Sequence, residues 1–109
     1  MKTMERTMNE KTWNNVDDML INIVRHVENC SSPDIRSEFI GERMQFGFMC
    51  ACCGQRWMLR LMQFGSYCGE LRPLFRNSEG RESIAAVLNS KGSMNDLRTL
   101  AGVRDVMEE

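Results

Sequence analysis

Three of the five cysteines stand together in the run Cys50-Ala51-Cys52-Cys53-Gly54. In a C-x-x-C sequence a tight turn brings the sulfurs of Cys50 and Cys53 to one side, and Gly54 supplies the positive φ that lets backbone N–H groups approach the thiolates. Zn²⁺ prefers tetrahedral sulfur and nitrogen ligands, and C-x₂-C is its common half-site. The run therefore predicts a bound zinc ion, with Cys52 pointing away from it.

The chain has no second C-x-x-C, so the remaining ligands must come from His26, Cys30 or Cys68. His26 and Cys30 are four residues apart in a predicted helix, which places both side chains on one side of it. Cys68 follows a predicted strand over residues 55–63 and would lie roughly 20 Å from the turn at about 3.3 Å per residue. We therefore favour His26, Cys30, Cys50 and Cys53 as the ligand set and keep Cys68 as a substitute ligand.

The segment from Phe46 to Trp57 reads F-x-F-x-C-x-x-C-G-x-x-W. It resembles one knuckle of the zinc-ribbon and treble-clef families. The resemblance implies that Cys50 and Cys53 are ligands and that Gly54 is the turn glycine. It covers this segment alone and lacks the second knuckle, so the function of a zinc ribbon is not implied.

Two other interpretations of the cysteines stay open. Reduced thiols can be buried as small hydrophobic side chains. Alternatively, Cys50 with Cys53, or Cys52 with Cys53, can act as a thiol redox switch. A thioredoxin-like C-x-x-C opens a helix in a βαβ unit, whereas this one joins two strand-like runs. The pattern therefore favours a metal site over redox work.

Residues of alternating polarity on both sides of this turn predict a β-hairpin from Arg43 to Leu61. On one face of each predicted strand every second residue is apolar: Met44, Phe46, Phe48, Cys50, Trp57, Leu59 and Leu61. The residues on the other face are a mixture of types and partly basic. Because Met and Arg are enriched at binding surfaces, we predict a binding surface there, comprising Arg43, Arg56, Met58 and Arg60.

An apolar stripe predicts a helix over residues 13–29, capped by Thr12 or Asn14. Residues 1–12 are expected to be frayed or loosely helical. Residues 33–40 are expected to form a short helix or an irregular connection, and residues 71–75 a third, edge strand. Residues 81–107 predict an αα-hairpin that turns at Lys91-Gly92, with Ser93 and Asp96 capping its second helix.

These elements predict an α+β fold, with an N-terminal helix packed on a small antiparallel β-hairpin or sheet that carries the zinc knuckle, followed by a C-terminal αα-hairpin. The 109 residues are expected to form a single domain, with the metal half in 1–76 and a helical tail in 81–107. No apolar run approaches the ~20 residues of a membrane span. The odd cysteine number and the absence of a secretory signal favour a reduced, cytoplasmic protein.

No catalytic set or phosphate-binding glycine loop is found, so we expect no enzyme. We expect a small intracellular zinc-stabilised module that acts through protein–protein interaction, as a regulator or inhibitor of a larger machine. The helical stripes are also compatible with a homodimer. The alternative is nucleic-acid binding by an arginine-rich hairpin face that includes Arg72, with Trp57 or Tyr67 stacking on bases. The net charge of −1 speaks against it.

Overall fold

A computed structural model of the chain describes residues 10–40, 45–59 and 68–108. The elements follow in the order β1 (Glu10–Trp13), α1 (Val16–Asn29), β2 (Ile35–Ile40), β3 (Gln45–Cys50), β4 (Arg56–Leu59), α2 (Arg72–Phe75), α3 (Ser78–Asn89) and α4 (Met94–Glu108). The α+β class, the N-terminal helix and the C-terminal helical pair are confirmed.

The strands within the described ranges form one four-stranded sheet in the order β1-β4-β3-β2. The predicted hairpin is present as the antiparallel pair β3 and β4, in which Phe48 lies opposite Trp57. Both of these side chains are buried and belong to the core that the helices share with the sheet. The sheet is larger than predicted, because β2 adds to β3 in antiparallel fashion and β1 adds to β4 in parallel.

Three local predictions are wrong. Residues 33–40 contain strand β2, in which Ile35 lies opposite Cys50 of β3. The segment around Pro73 is the short helix α2, with the proline in the first turn, where its missing N–H costs no hydrogen bond. Residues 10–12, expected to be frayed or loosely helical, belong to β1; residues 1–9 lie outside the described residues.

Helix α1 begins at Val16, and its N-cap is Asn15, whose side-chain oxygen accepts a hydrogen bond from the backbone N–H of Asp18 at 3.0 Å. The start is thus later than the predicted residue 13, and the cap is one residue beyond Asn14. Apolar residues on one face of the helix pack into the core: Val16, Met19, Leu20, Ile23 and Val27. This face places the helix across the sheet, with its C-terminus beside the β3–β4 turn.

Asp17 ties the start of α1 to the entry of α2. Its two carboxylate oxygens accept hydrogen bonds from the backbone N–H groups of Glu70 at 2.8 Å and Leu71 at 2.9 Å. Hydrogen bonds to a charged carboxylate are stronger than those between neutral groups. A partly buried N–H group that loses its acceptor also costs free energy, because it is no longer solvated by water. The segment before α2 is therefore held by a side chain from a distant part of the sequence.

We expect Asp17→Ala to lower the free energy of unfolding by about 1–3 kcal/mol. Asp18→Ala is the matched control, because Asp18 is the exposed neighbour in the same helical turn; its loss is expected to cost about 0.5 kcal/mol through the helix dipole. Urea unfolding of the two variants measures both values. Equal losses of unfolding free energy in the two variants would contradict a stabilising role for the hydrogen bonds that Asp17 accepts.

The C-terminal helical pair turns at Lys91, which has a positive φ of 61°. The predicted cap of the last helix is confirmed: the hydroxyl of Ser93 accepts from the N–H of Asp96, and the carboxylate of Asp96 accepts from the N–H of Ser93. Leu97 of α4 is fully buried in the same core as the sheet. No helix in the described ranges is both long and apolar enough to cross a bilayer.

Candidate metal centre

Four side chains from two distant segments meet at the end of the sheet. His26 lies in the last turn of α1 and Cys30 is its C-cap, while Cys50 ends β3 and Cys53 lies in the β3–β4 turn. One ligand atom from each residue lies within 4.8 Å of every other. The sequence-predicted set of one imidazole and three thiols is therefore brought together, and this cluster could hold a metal ion.

Two of the distances between ligand atoms are close to those of a tetrahedral site. Metal–sulfur bonds of about 2.3 Å and metal–nitrogen bonds of about 2.0 Å place neighbouring sulfurs about 3.8 Å apart, and sulfur and nitrogen about 3.6 Å apart. The sulfurs of Cys30 and Cys50 are 4.0 Å apart, and Cys53 Sγ lies 3.4 Å from His26 Nε2. The sulfurs of Cys30 and Cys50 are too far apart for a disulfide, and the imidazole presents Nε2 to the cluster.

The turn between β3 and β4 fixes the two thiols of the C-x-x-C sequence. Cys50 donates its N–H to the carbonyl of Gln55 at 2.8 Å, and Gly54 donates to the carbonyl of Cys50 at 2.8 Å. Gly54 adopts a positive φ of 84°, as the sequence predicts. A side chain at this φ is strained, so glycine allows the chain to turn back directly after Cys53.

The end of α1 fixes the other two ligands. Cys30 is the C-cap residue, and its N–H donates to the carbonyl of His26 at 2.8 Å. The ring of His26 packs edge-on against Trp57, with 5.0 Å between centroids, and Trp57 Nε1 donates to Asn22 Oδ1 at 2.9 Å. The sequence did not reveal this support. Its one signal is that Asn22 and His26 are four residues apart in the helix and share a face.

Hydrogen bonds at the turn change the acidity of the thiols. Burial alone raises the pKa of Cys50, but backbone N–H groups of Asp34, Cys53 and Cys52 and the side chain of His26 outweigh it, lowering the pKa from 9.0 to about 6. Burial raises the pKa of Cys53, and the neighbouring Cys50 raises it further. The lowered pKa favours the thiolate of Cys50, which is the form that binds a metal.

This shift predicts a pH dependence for metal retention. Ionisation of Cys50 stabilises the folded chain because its pKa is lowered; the stabilisation is complete above pH 9.0 and is lost as the pH falls through about 6. We expect equilibrium dialysis to show metal retained at neutral pH and released as the pH falls below about 6. Retention that does not weaken as the pH falls through about 6 would contradict this dependence.

The two other cysteines are exposed and lie outside the cluster. Cys68, kept as a substitute ligand, directs its thiol toward the carbonyl oxygen of Asn14 at 3.7 Å. Its segment pairs with the start of α1 through the bridge between Asn15 and Cys68, at the end of the helix opposite His26. Cys52 lies in the turn between the two predicted turn ligands, and its interaction with the neighbouring Cys30 thiol raises the pKa of Cys52. It therefore lies beside the cluster and is not directed away from it as predicted.

Not every residue of the predicted binding surface on the hairpin is exposed. Met58 is fully buried, so it cannot belong to an exposed surface; it lies opposite Gly47 of β3, on the sheet face that was expected to be open. Arg56 donates two hydrogen bonds to the carboxylate of Glu38, at 3.0 Å and 2.6 Å. Arg43 and Arg60 lie outside the described residues.

The fold and the site define an α+β domain with a candidate metal centre of one histidine and three cysteines. No family model matches this chain, and neither the curated proteins nor the solved structures give a significant match.

Proposed function

We propose that this chain is a small zinc-stabilised binding module that acts through protein–protein interaction, as a regulator or inhibitor of a larger assembly. The observation that carries the proposal is the cluster of His26, Cys30, Cys50 and Cys53 within 4.8 Å. It joins the end of α1 to the β3–β4 turn. A metal held there fixes two parts of the core that are separated by a long stretch of sequence.

Zinc is the metal that fits the donors best. Three thiolates and one imidazole in tetrahedral arrangement are a common structural zinc set. Soft sulfur ligands also select Cu(I) and iron–sulfur clusters. However, the ligands of a cluster are divided between several irons, whereas these four converge within 4.8 Å, which favours a single ion.

The number of ligands argues for a structural role. Four protein donors complete a tetrahedral shell, whereas catalytic zinc sites keep one position for water or substrate. The proposed zinc has no such position when all four residues bind it. The metal then contributes to folding and to a rigid surface, and the activity of the module is binding.

A protein partner is favoured over nucleic acid by the hairpin itself. Arg56, one of the arginines that could contact phosphates, is already held by Glu38 with its side chain only 34% exposed. Trp57 is 1% exposed and presents no face on which a base can stack. The redox alternative needs a metal-free thiol pair, whereas the imidazole Nε2 facing Cys53 supports a ligand set.

Affinity capture from the native host with the tagged, zinc-loaded chain tests the function. We expect a stoichiometric protein complex that Cys52→Ser preserves and Cys53→Ser abolishes, since only Cys53 belongs to the cluster. Retention on heparin, measured in parallel, is expected to be weak. Salt-sensitive retention on heparin, with no captured protein, would overturn the proposal in favour of nucleic-acid binding.

A further inference from the structure

Strand β2 forms one edge of the sheet, and one end of this edge is closed by a side chain. The side-chain amide of Asn89, at the end of α3, accepts a hydrogen bond from the N–H of Ile35 at 2.7 Å and donates one to its carbonyl at 2.9 Å. The amide thus takes the place that a neighbouring strand would occupy. Pairing of another strand with the edge is prevented at Ile35.

The rest of the edge is open as far as the described residues show. In a strand, the backbone groups of alternate residues point to the same side, so Ser37 and Phe39 direct their N–H and C=O groups outward, as Ile35 does. Among the described residues, neither makes a backbone hydrogen bond on that side. Both residues are exposed, and the side chain of Phe39 is 53% exposed although its ring stacks on Phe46 with centroids 4.7 Å apart.

We propose that a second copy of this chain occupies this edge, with the two β2 strands paired antiparallel about a two-fold axis. Ser37 of each copy then lies opposite Phe39 of the other, and each pair exchanges both N–H···O hydrogen bonds. In this register each Ile35 lies opposite residue 41 of the second copy, one residue past the end of β2. The closure by Asn89 therefore falls where the ladder ends and does not obstruct it.

The side chains match across the same axis. The two Phe39 rings become diagonal neighbours, a spacing of about 7–8 Å that aromatic side chains can bridge. On the other sheet face, Arg36 becomes the diagonal neighbour of Glu38 of the second copy. The side chain of Arg36 is 66% exposed and reaches only Asp34 among the ion pairs of the described chain. In the dimer it then lies near Glu38 of the second copy while it keeps its own ion pair with Asp34.

This self-complementarity favours a second copy over an unrelated peptide. Like charges would meet at the axis, where Glu38 lies opposite Glu38 of the second copy, but each of these carboxylates is already bound by its own Arg56. An exposed, partly apolar sheet edge can pair with another chain in this way, because its N–H and C=O groups are unpaired. The result is one continuous sheet across the dimer, and its formation does not depend on what the module binds.

Sedimentation velocity of the zinc-loaded full chain tests the dimer. We expect a species of twice 12.6 kDa to appear as the protein concentration rises from about 1 to about 100 µM. This is the range of dissociation constants expected for a dimer with a small interface. Phe39→Lys is expected to weaken association at least about tenfold, because it places two like charges across the axis. Ser37→Pro is expected to do the same by removing an outward N–H, a position where an edge strand tolerates proline.

Ile21→Lys is the matched control, because Ile21 is the other large apolar side chain exposed in the described chain, at 37%, and it lies on α1. This variant is expected to dimerise as the wild type does. A wild-type chain that stays monomeric at about 100 µM, or association that Ile21→Lys weakens as much as Phe39→Lys does, would overturn the proposal. A monomer whose captured partner is lost with Phe39→Lys would assign the edge to that partner instead and leave the proposed binding function intact.

Discussion

Replacing Cys53 by serine is expected to abolish metal binding and to remove most of the stability of the fold. Structural zinc contributes on the order of 10 kcal/mol in small zinc-finger peptides, which is comparable to the whole net stability of a domain, about 5–15 kcal/mol. Cys53 supplies one of the three sulfurs, 3.4 Å from the imidazole nitrogen of His26. Thermal unfolding followed by circular dichroism should therefore lose its cooperative transition.

Cys52→Ser is the matched control for this prediction. The two cysteines are adjacent in one turn and both are exposed, but Cys52 is not a member of the ligand cluster. We expect this variant to bind one metal ion and to unfold within a few degrees of the wild type, since surface substitutions usually change stability by about 0.5 kcal/mol or less. Equal loss of metal in both variants would show that the turn binds metal in another way.

Gly80→Ala is expected to destabilise the chain by about 3 kcal/mol, even though alanine favours helices. A Cβ at Gly80 would lie within 1.8 Å of the carbonyl oxygen of Leu74, where helices α2 and α3 approach each other. Backbone cannot give way as a flexible side chain can. The two helices must therefore separate, and the adjacent buried Arg81 would lose its hydrogen bond to the carbonyl of Phe75.

Gly102→Ala is a control that is expected to change the free energy of unfolding in the opposite direction. Gly102 lies in the interior of α4, and no described atom lies within 4 Å of a Cβ built there. Alanine should therefore stabilise the helix by about 1 kcal/mol. Chemical denaturation of the two variants compares the same substitution in two helices. A stabilising Gly80→Ala would show that the contact between α2 and α3 is looser than described.

Local patterns predicted the site because its geometry is mostly local. The spacing of Cys50 and Cys53 defines a turn, and the spacing of His26 and Cys30 defines one side of a helix end, so only their meeting had to be inferred. The alternation on both sides of the turn likewise predicted β3 and β4. The ring of Trp57 beside His26 and the amide of Asn22 behind it join α1 to β4. The contact with Trp57 is between distant segments, and its only local signal is the four-residue spacing of Asn22 and His26.

The elements that were missed depend on distant partners. Strand β1 is short, and the polar run before Trp13 becomes a strand through parallel pairing with β4. Strand β2 follows Pro33, which is also typical of a helix start, and its register is set by β3 and by Asn89. Pro73 suggested an edge strand but lies in the first turn of α2. In each case tertiary contacts override a weak local preference.

X-ray absorption at the zinc edge of the purified, zinc-loaded protein tests the central claim most directly. A single ion held by Cys30, Cys50, Cys53 and His26 should show three sulfur atoms at about 2.3 Å and one nitrogen at about 2.0 Å, with the outer-shell scattering of an imidazole. The nitrogen signal should disappear in His26→Ala. A first shell of four sulfurs, or one dominated by oxygen, would contradict the proposed ligand set.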